Sequence, residues 1–214
     1  MSDMSIEHAP PTSAPAPATP AAHAVDPKAE ARHTDNLKFA MWLYLASEVV
    51  IFTLLIAVFV VFRVNNPERV EEVHKASGLG LVGLNTFFLL TSSWTMVMGL
   101  LAIQKNDSKG LARWISATAI LGTLFVMFQY VEYSTLAHEG ITLYGDVFGM
   151  RFYAPTAFHG AHVVIGVLWA IYVVNGALKG KYSGGKYLGV EIFGLFWHFV
   201  DVVWIVLFTV IYLV

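Results

Sequence analysis

The chain has 214 residues, of which 57% are hydrophobic and 13% are charged, well below the roughly one quarter of charged residues usual in soluble domains. This composition indicates an integral membrane protein, and the formal net charge of -2 argues against a nucleic-acid-binding surface. Because the chain contains no Cys, it has no disulfide framework and no thiolate metal site, so a metal would need His and carboxylate ligands.

Residues 1–36 form a separate compositional segment, which holds six of the eight prolines and many alanines. This composition predicts a disordered, polyproline-like tail. The segment has neither the basic start nor the apolar core of a secretory signal peptide. Its histidines are irregularly spaced and are interpreted as solvated tail residues rather than metal ligands; they are His8, His23 and His33.

The remaining residues, 37–214, contain five apolar segments that are long enough to cross the hydrocarbon core of a bilayer as helices. The predicted fold class is therefore all-α, an integral membrane bundle of five transmembrane helices behind a disordered N-terminal tail. The predicted spans cover about residues 39–62, 79–103, 114–133, 156–178 and 191–214. Lys and Arg number nine on the side of the N-terminus and four on the other side. The positive-inside rule then places the N-terminus in the cytoplasm and the C-terminus outside.

The first span carries Glu48 some nine residues from its start, near the middle of the membrane. An ionisable group at this depth costs about 2.5–3.5 kcal/mol on insertion scales, so its side chain is expected to point into protein rather than lipid. Tyr44 precedes Glu48 by one helical turn and lies on the same face. The first span therefore predicts a sheltered polar site at Glu48.

The polar residues of the middle spans point to structural roles. The hydroxyl-bearing residues of the second span are interpreted as helix-packing groups. Glu132 lies near the end of the third span, close enough to the interface for partial hydration, which predicts a structural or surface role. His159 and His162 share one face of the fourth span. Buried hydrogen bonding is predicted for both, because the helical zinc motif needs a spacing of four residues with an intervening Glu.

The last span places Glu191, His198 and Asp201 on one helical face. His198, one turn from Asp201, is the nearest candidate partner for that carboxylate. The pair is interpreted as a structural hydrogen bond, with proton handling or ligand binding as the open alternative. If the first and last spans are neighbours, Glu48, His198 and Asp201 are expected to form one buried polar cluster.

Three stretches carry a resemblance to a known family. They are YLASEVVIFTLL in the first span, FHGAHVVIGVLWAIY in the fourth and FWHFVDVVWIVLFTVIYL in the last. Together they resemble subunit III of the heme-copper respiratory oxidases, the cytochrome c and quinol oxidases. The resemblance covers residues 39–214 in order, and the chain is similar to the shorter, five-helix bacterial form.

The resemblance implies a subunit with no metal and no catalytic residue of its own. It would pack against subunit I, which holds the hemes and copper, and against subunit II, with subunit IV or a larger respiratory supercomplex as further partners. Structural phospholipids are expected in a cleft between its helices. The whole complex would reduce oxygen to water and pump protons across the bacterial cytoplasmic (inner) membrane, with cytochrome c favoured over quinol as the electron donor.

The family also implies that the subunit supports proton uptake by subunit I and protects the complex from inactivation during turnover. Glu48 maps onto the family's carbodiimide-reactive carboxylate. Three alternatives stay open at this point: a small transporter or proton channel that uses Glu48 and Asp201, a heme-binding subunit that uses His159, His162 and His198, and the paralogue associated with nitric oxide reductase.

Overall fold

The computed structural model of the protein describes residues 27–66, 68, 79–138, 147–182, 184–185 and 187–213. The secondary structure in these ranges is helical, and five helices are long and apolar enough to span a membrane. The predicted all-α membrane fold is therefore confirmed. The helices are α1 (Pro27–Asn65), α2 (Leu79–Gln104), α3 (Ser108–His138), α4 (Val147–Leu178) and α5 (Leu188–Phe208), and the last continues into a π-helical turn (Thr209–Leu213).

Helix α1 begins well before the predicted first span, at Pro27, so it extends into the segment that was expected to be a disordered tail. Pro is favoured in the first turn of a helix, where no backbone N–H is needed, and the residues after it are good helix formers. The predicted tail therefore differs from the structure over residues 27–36. Its remainder, residues 1–26, lies outside the described residues.

Helix α4 also begins earlier than predicted, because it passes through Pro155 instead of starting after it. A proline within a helix removes one backbone hydrogen bond, and neighbouring hydroxyls often stabilise the affected turn in membrane helices. Here the Thr156 hydroxyl donates to the Phe152 carbonyl oxygen at 2.9 Å. Gln129 of α3 donates to the Thr156 carbonyl oxygen at 3.1 Å. The predicted start after Pro155 is therefore wrong, and polar contacts hold the turn that follows the proline.

Four of the helices close into a ring. Helix α2 packs against α3, α3 against α4, α4 against α5, and α5 against α2. Helix α1 lies outside this ring and packs across α4 and α5. The first and last spans are therefore neighbours, as the cluster hypothesis required.

Two polar contacts attach α1 to α5, one near each end of α1. The Lys38 ammonium lies 2.7 Å from a Glu191 carboxylate oxygen. At the other end, the Arg63 guanidinium donates to the Val210 carbonyl oxygen at 2.7 Å. Between these contacts α1 buries a stripe of residues at helical spacing. They are Met41, Leu45, Glu48, Phe52, Phe59 and Phe62.

The centre of the ring is built around two buried tryptophans of α5. The Trp197 ring fits into a slot between α3 and α4, where a Cβ on Gly122 or Gly166 would lie 2.7 or 2.6 Å from its ring carbons. The Trp197 indole N–H donates to the Ser92 hydroxyl at 3.0 Å, and the Trp204 indole N–H donates to the Thr86 hydroxyl at 3.0 Å. The hydroxyls of α2 thus serve helix packing, because they satisfy the two indoles inside the membrane.

The Trp197 slot predicts that Gly166→Ala destabilises the subunit. A Cβ at 2.6 Å from a fully buried indole forces the helices apart, at a cost of about 1–3 kcal/mol. Gly83→Ala on α2 is the matched control, because nothing lies within 4 Å of its added Cβ. Thermal unfolding of the purified protein in its complex should show a lower midpoint for Gly166→Ala alone. Equal midpoints for the two variants would contradict the tight slot.

Candidate functional site

The main polar contact inside the membrane joins α1 to α4. The Glu48 carboxylate oxygen Oε2 lies 3.3 Å from Nε2 of His162, and both side chains are buried. Phe52 and Phe158 enclose the imidazole, with ring centroids at 5.4 and 4.8 Å. The contact is a close approach of the two groups rather than an aligned hydrogen bond. Glu48 is therefore sheltered by protein, as predicted, but its partner is His162 rather than His198.

The other nitrogen of His162 makes a hydrogen bond within α4. Nδ1 lies 2.8 Å from the Phe158 carbonyl oxygen, which can only accept, so Nδ1 carries a proton. In a neutral imidazole, Nε2 would then present its lone pair to Glu48. A proton on either Nε2 or the carboxyl group would remove the repulsion between that lone pair and a carboxylate, so the contact is suited to exchanging a proton.

Tyr44 lies beside this pair. Its hydroxyl interacts electrostatically with the carboxyl group of Glu48, one turn along α1. The ring is 41% exposed on the outer surface of the helix. The expected proximity of Tyr44 and Glu48 is therefore found, and the tyrosine connects the buried carboxyl to the face that α1 turns away from the bundle.

His159 has a different environment from His162 although the two share a helical face. It is fully buried, and its ring stacks on Trp204 with centroids 5.0 Å apart. The edge of Phe125 approaches it at 5.7 Å. Neither ring nitrogen has a hydrogen-bond partner among the described side chains and backbone groups. The predicted buried hydrogen bonding is therefore wrong for His159, which packs as an aromatic ring, and correct for His162.

A second polar group connects α2 and α5. His198 Nδ1 lies 2.6 Å from the Ser93 hydroxyl. Asp201, one turn further along α5, is buried, and neither carboxylate oxygen has a hydrogen-bond partner in the part of the chain that the structure describes. The Ser93 hydroxyl nevertheless interacts electrostatically with the Asp201 carboxyl group.

This geometry corrects two expectations. The predicted His198–Asp201 hydrogen bond does not form, because the imidazole nitrogen is directed to Ser93 on the neighbouring helix. The predicted cluster of Glu48, His198 and Asp201 is not joined by hydrogen bonds either, since Glu48 meets His162. The three residues of the predicted cluster thus lie in two separate groups, the Glu48–His162 pair and the Ser93–His198–Asp201 group.

Glu132 lies in a third polar group near the end of the bundle that carries the C-terminus. It is buried, with 5% of its surface exposed, and accepts a hydrogen bond of 2.8 Å from the Tyr212 hydroxyl. The expected partial hydration is therefore wrong. The π-helical turn at Thr209–Leu213 carries Tyr212, and such turns alter the direction in which side chains project.

Tyr212, Lys38 and Ser93 were not identified from the sequence as site residues, although each contacts one of them. Lys38, the ion-pair partner of Glu191, is one of many basic residues near span ends and had no distinguishing pattern. Ser93, the partner of His198, was counted among packing hydroxyls. In the described ranges, no three side chains of His, Cys, Asp or Glu come together as a possible metal site.

Comparison with known proteins agrees with the resemblance. Residues 24–214 match the family model described as cytochrome c oxidase subunit III. Cytochrome c oxidase subunit 3 of Synechocystis sp. is 39% identical over 182 residues, covering 85% of this chain and 77% of the relative. The protein of that name from Thermostichus vulcanus is 36% identical, covering 85% and 89%. A probable quinol oxidase subunit 3 from Staphylococcus saprophyticus is 32% identical, covering 85% and 91%.

The Glu132–Tyr212 contact predicts that Tyr212→Phe destabilises the C-terminal end of the bundle. Removal of the hydroxyl leaves a buried carboxyl without its donor, at a cost of about 1–3 kcal/mol. Tyr130→Phe on α3 is the control, because Tyr130 is 72% exposed. Limited proteolysis and thermal unfolding should distinguish the variants. A Tyr212→Phe protein as resistant as Tyr130→Phe would show that the hydrogen bond does not hold the C-terminus.

Proposed function

Because the chain belongs to the cytochrome c oxidase subunit III family and is thus an accessory subunit of a terminal oxidase, we propose that it supports proton uptake by the catalytic subunit through its Glu48–His162 pair. The pair carries the proposal because it places an imidazole and a carboxyl group, which can exchange a proton, side by side in the middle of the membrane, on a helix whose outer face is open to a partner. Tyr44 lies between the carboxyl and that outer face.

The redox chemistry belongs, in this proposal, to partner subunits. Subunit I would hold the hemes and copper, subunit II would complete the core, and subunit IV or a respiratory supercomplex would extend it. The outward apolar surface of α1 supports such packing, since Leu43, Leu54 and Val61 are each more than half exposed. This chain would contribute no catalytic residue, heme or metal ligand.

We further propose cytochrome c as the electron donor. The relatives with 39% and 36% identity are named cytochrome c oxidase subunits, and the quinol oxidase subunit is 32% identical. Oxidation of reduced cytochrome c and of a quinol by the purified complex would decide between them. The rates at which the complex reduces oxygen and nitric oxide would distinguish a terminal oxidase from the paralogue associated with nitric oxide reductase.

Phospholipid binding is the second part of the proposal. A groove of about 630 Å³ lies where α1 and α5 begin and α4 ends, with Trp169, Leu188 and Ile192 among its lining residues. Lys181, at the groove, donates to the Tyr172 hydroxyl at 2.7 Å, and its ammonium lies 4.9 Å from the centre of that ring. A fixed cation beside apolar walls suits a phosphate head group and its acyl chains.

The orientation of the chain is also part of the proposal. Basic residues near the start of α1, around the α2–α3 connection and after α4 outnumber those at the opposite ends of the helices. This asymmetry supports a cytoplasmic N-terminus and an external C-terminus in the bacterial cytoplasmic membrane. The proposed lipid groove and the Lys38–Glu191 ion pair would then both lie at the cytoplasmic side of the membrane.

The proton-uptake proposal predicts that Glu48→Gln shortens the working life of the oxidase. The initial rate of oxygen reduction should stay near that of the native complex, because the chemistry lies in a partner, and the number of turnovers before inactivation should fall severalfold. His162→Gln should have the same effect, because it removes the other half of the pair. Asp107→Asn is the matched carboxyl-to-amide control, because Asp107 is exposed at the α2–α3 connection and an amide oxygen there can still accept from the Gly110 N–H. Immediate loss of activity in a fully assembled Glu48→Gln complex would contradict the auxiliary role.

The lipid proposal predicts that Lys181→Ala lowers the phospholipid content of the purified complex. Lys179→Ala is the matched control, because Lys179 lies two residues away on the same loop and is not among the residues that line the groove. Quantitative mass spectrometry of the extracted lipids should show a loss for Lys181→Ala alone. Identical lipid content in both variants and the native complex would contradict a head-group site at Lys181.

A further inference from the structure

A second groove, of about 320 Å³, lies between the start of α1, the end of α2 and the start of α5; we call it the α1–α2–α5 groove. The Lys38–Glu191 ion pair stands at its mouth, with the two side chains 41% and 25% exposed. Val97 and Leu195 line its walls. His198 also lines the groove, deeper along α5 than Glu191.

The polar groups continue inward from His198. Its Nδ1 contacts the Ser93 hydroxyl at 2.6 Å, and Asp201 follows one turn deeper on the same face of α5. Asp201 is 4% exposed and lacks a hydrogen-bond partner within the described chain. The Ser93 hydroxyl interacts electrostatically with its carboxyl group. A buried carboxyl of this kind needs either a proton or a donor, and ionisable groups inside membranes commonly mark proton or ion pathways.

We infer that the α1–α2–α5 groove is a water-filled inlet through which protons from the membrane surface reach the carboxyl of Asp201, with His198 and Ser93 as the relay. A volume of 320 Å³ accommodates about ten water molecules at their share of liquid volume. Lys38, Glu191 and His198 provide the polar partners that ordered water requires. This path is separate from the Glu48–His162 pair, so its failure would leave the proposed function unaffected.

The relay moves one proton and needs no oxidant or reductant. A hydronium ion in the groove loses a proton to His198 Nε2, while Nδ1 of the same ring releases its proton to the Ser93 oxygen. The Ser93 side chain then turns from His198 toward Asp201, and its original hydroxyl proton forms an O–H bond on the Asp201 carboxylate. The product is a neutral carboxylic acid and a neutral imidazole, and exchange in the other direction follows the same steps in reverse.

Cysteine labelling tests whether the groove holds water. Val97 lines the groove and is 40% exposed, whereas Leu101 is 44% exposed, is not among the groove-lining residues and lies closer to the end of α2. The chain has no native Cys, so Val97→Cys and Leu101→Cys each give a single thiol on this subunit of the assembled complex. A membrane-impermeant, positively charged methanethiosulfonate should modify Val97→Cys faster by an order of magnitude, although it lies deeper. Equal rates, or a faster Leu101→Cys, would overturn the inlet and indicate a dry or lipid-filled groove.

Infrared spectroscopy tests whether the inlet reaches Asp201. The Asp201 carboxyl band is the one missing from Asp201→Asn, and its rate of hydrogen–deuterium exchange can be measured in the complex. A Cβ on Gly194 would lie 3.0 Å from Met96 Cε, beside the groove, whereas one on Gly83 of α2 would have nothing within 4 Å. Gly194→Leu should therefore slow the exchange by an order of magnitude, and the control Gly83→Leu should not. Equal exchange in both variants, or no protonated Asp201 band at any pH that the complex tolerates, would overturn the proposal.

Discussion

The contact between Glu48 and His162 is the constraint on which the arrangement of this protein depends. A carboxyl group at mid-membrane cannot face lipid without a large free-energy cost, so α1 must turn the face that carries Glu48 toward a protein partner. His162 provides that partner from α4, and its Nδ1 contact with the Phe158 carbonyl oxygen orients the ring. The rotation of α1 about its axis, and with it the choice of its outward face, follows from this one contact.

Elsewhere in the bundle, other polar groups inside the membrane also have protein partners, at different depths. The indole N–H groups of Trp197 and Trp204 meet hydroxyls of α2, and the Glu132 carboxyl meets the Tyr212 hydroxyl. These contacts have partners inside the chain and hold helices together. His159 and Asp201 lack such partners within the described residues. The two kinds of residue therefore differ in role: paired groups stabilise the bundle, and the unpaired Asp201 carboxyl is the one that the α1–α2–α5 groove approaches.

Much of this could be predicted from the sequence, because depth in a membrane follows from position along an apolar segment. The five spans and the need to shelter Glu48 both come from that relation. The partners could not be predicted, since they depend on which helices touch and how each is rotated. His198 and Asp201 share a helical face, yet the imidazole bonds to Ser93 on another helix. The predicted start of the fourth span after Pro155 was wrong for a similar reason. Contacts from Gln129 of α3 and from the Thr156 hydroxyl hold the helical turn beside the proline.

The long separation in sequence between Glu48 and His162 has a consequence for biogenesis. Membrane proteins are synthesised from the N-terminus, so α1 enters the bilayer while α4 is still being made. During that interval Glu48 has no imidazole beside it, and the neutral acid is the form that hydrocarbon tolerates. The insertion of α4 provides the imidazole partner, and the attachment of Arg63 to the Val210 carbonyl waits until the residues after α5 are made. Helix α1 can therefore take its native position only after α4 and α5 have been inserted.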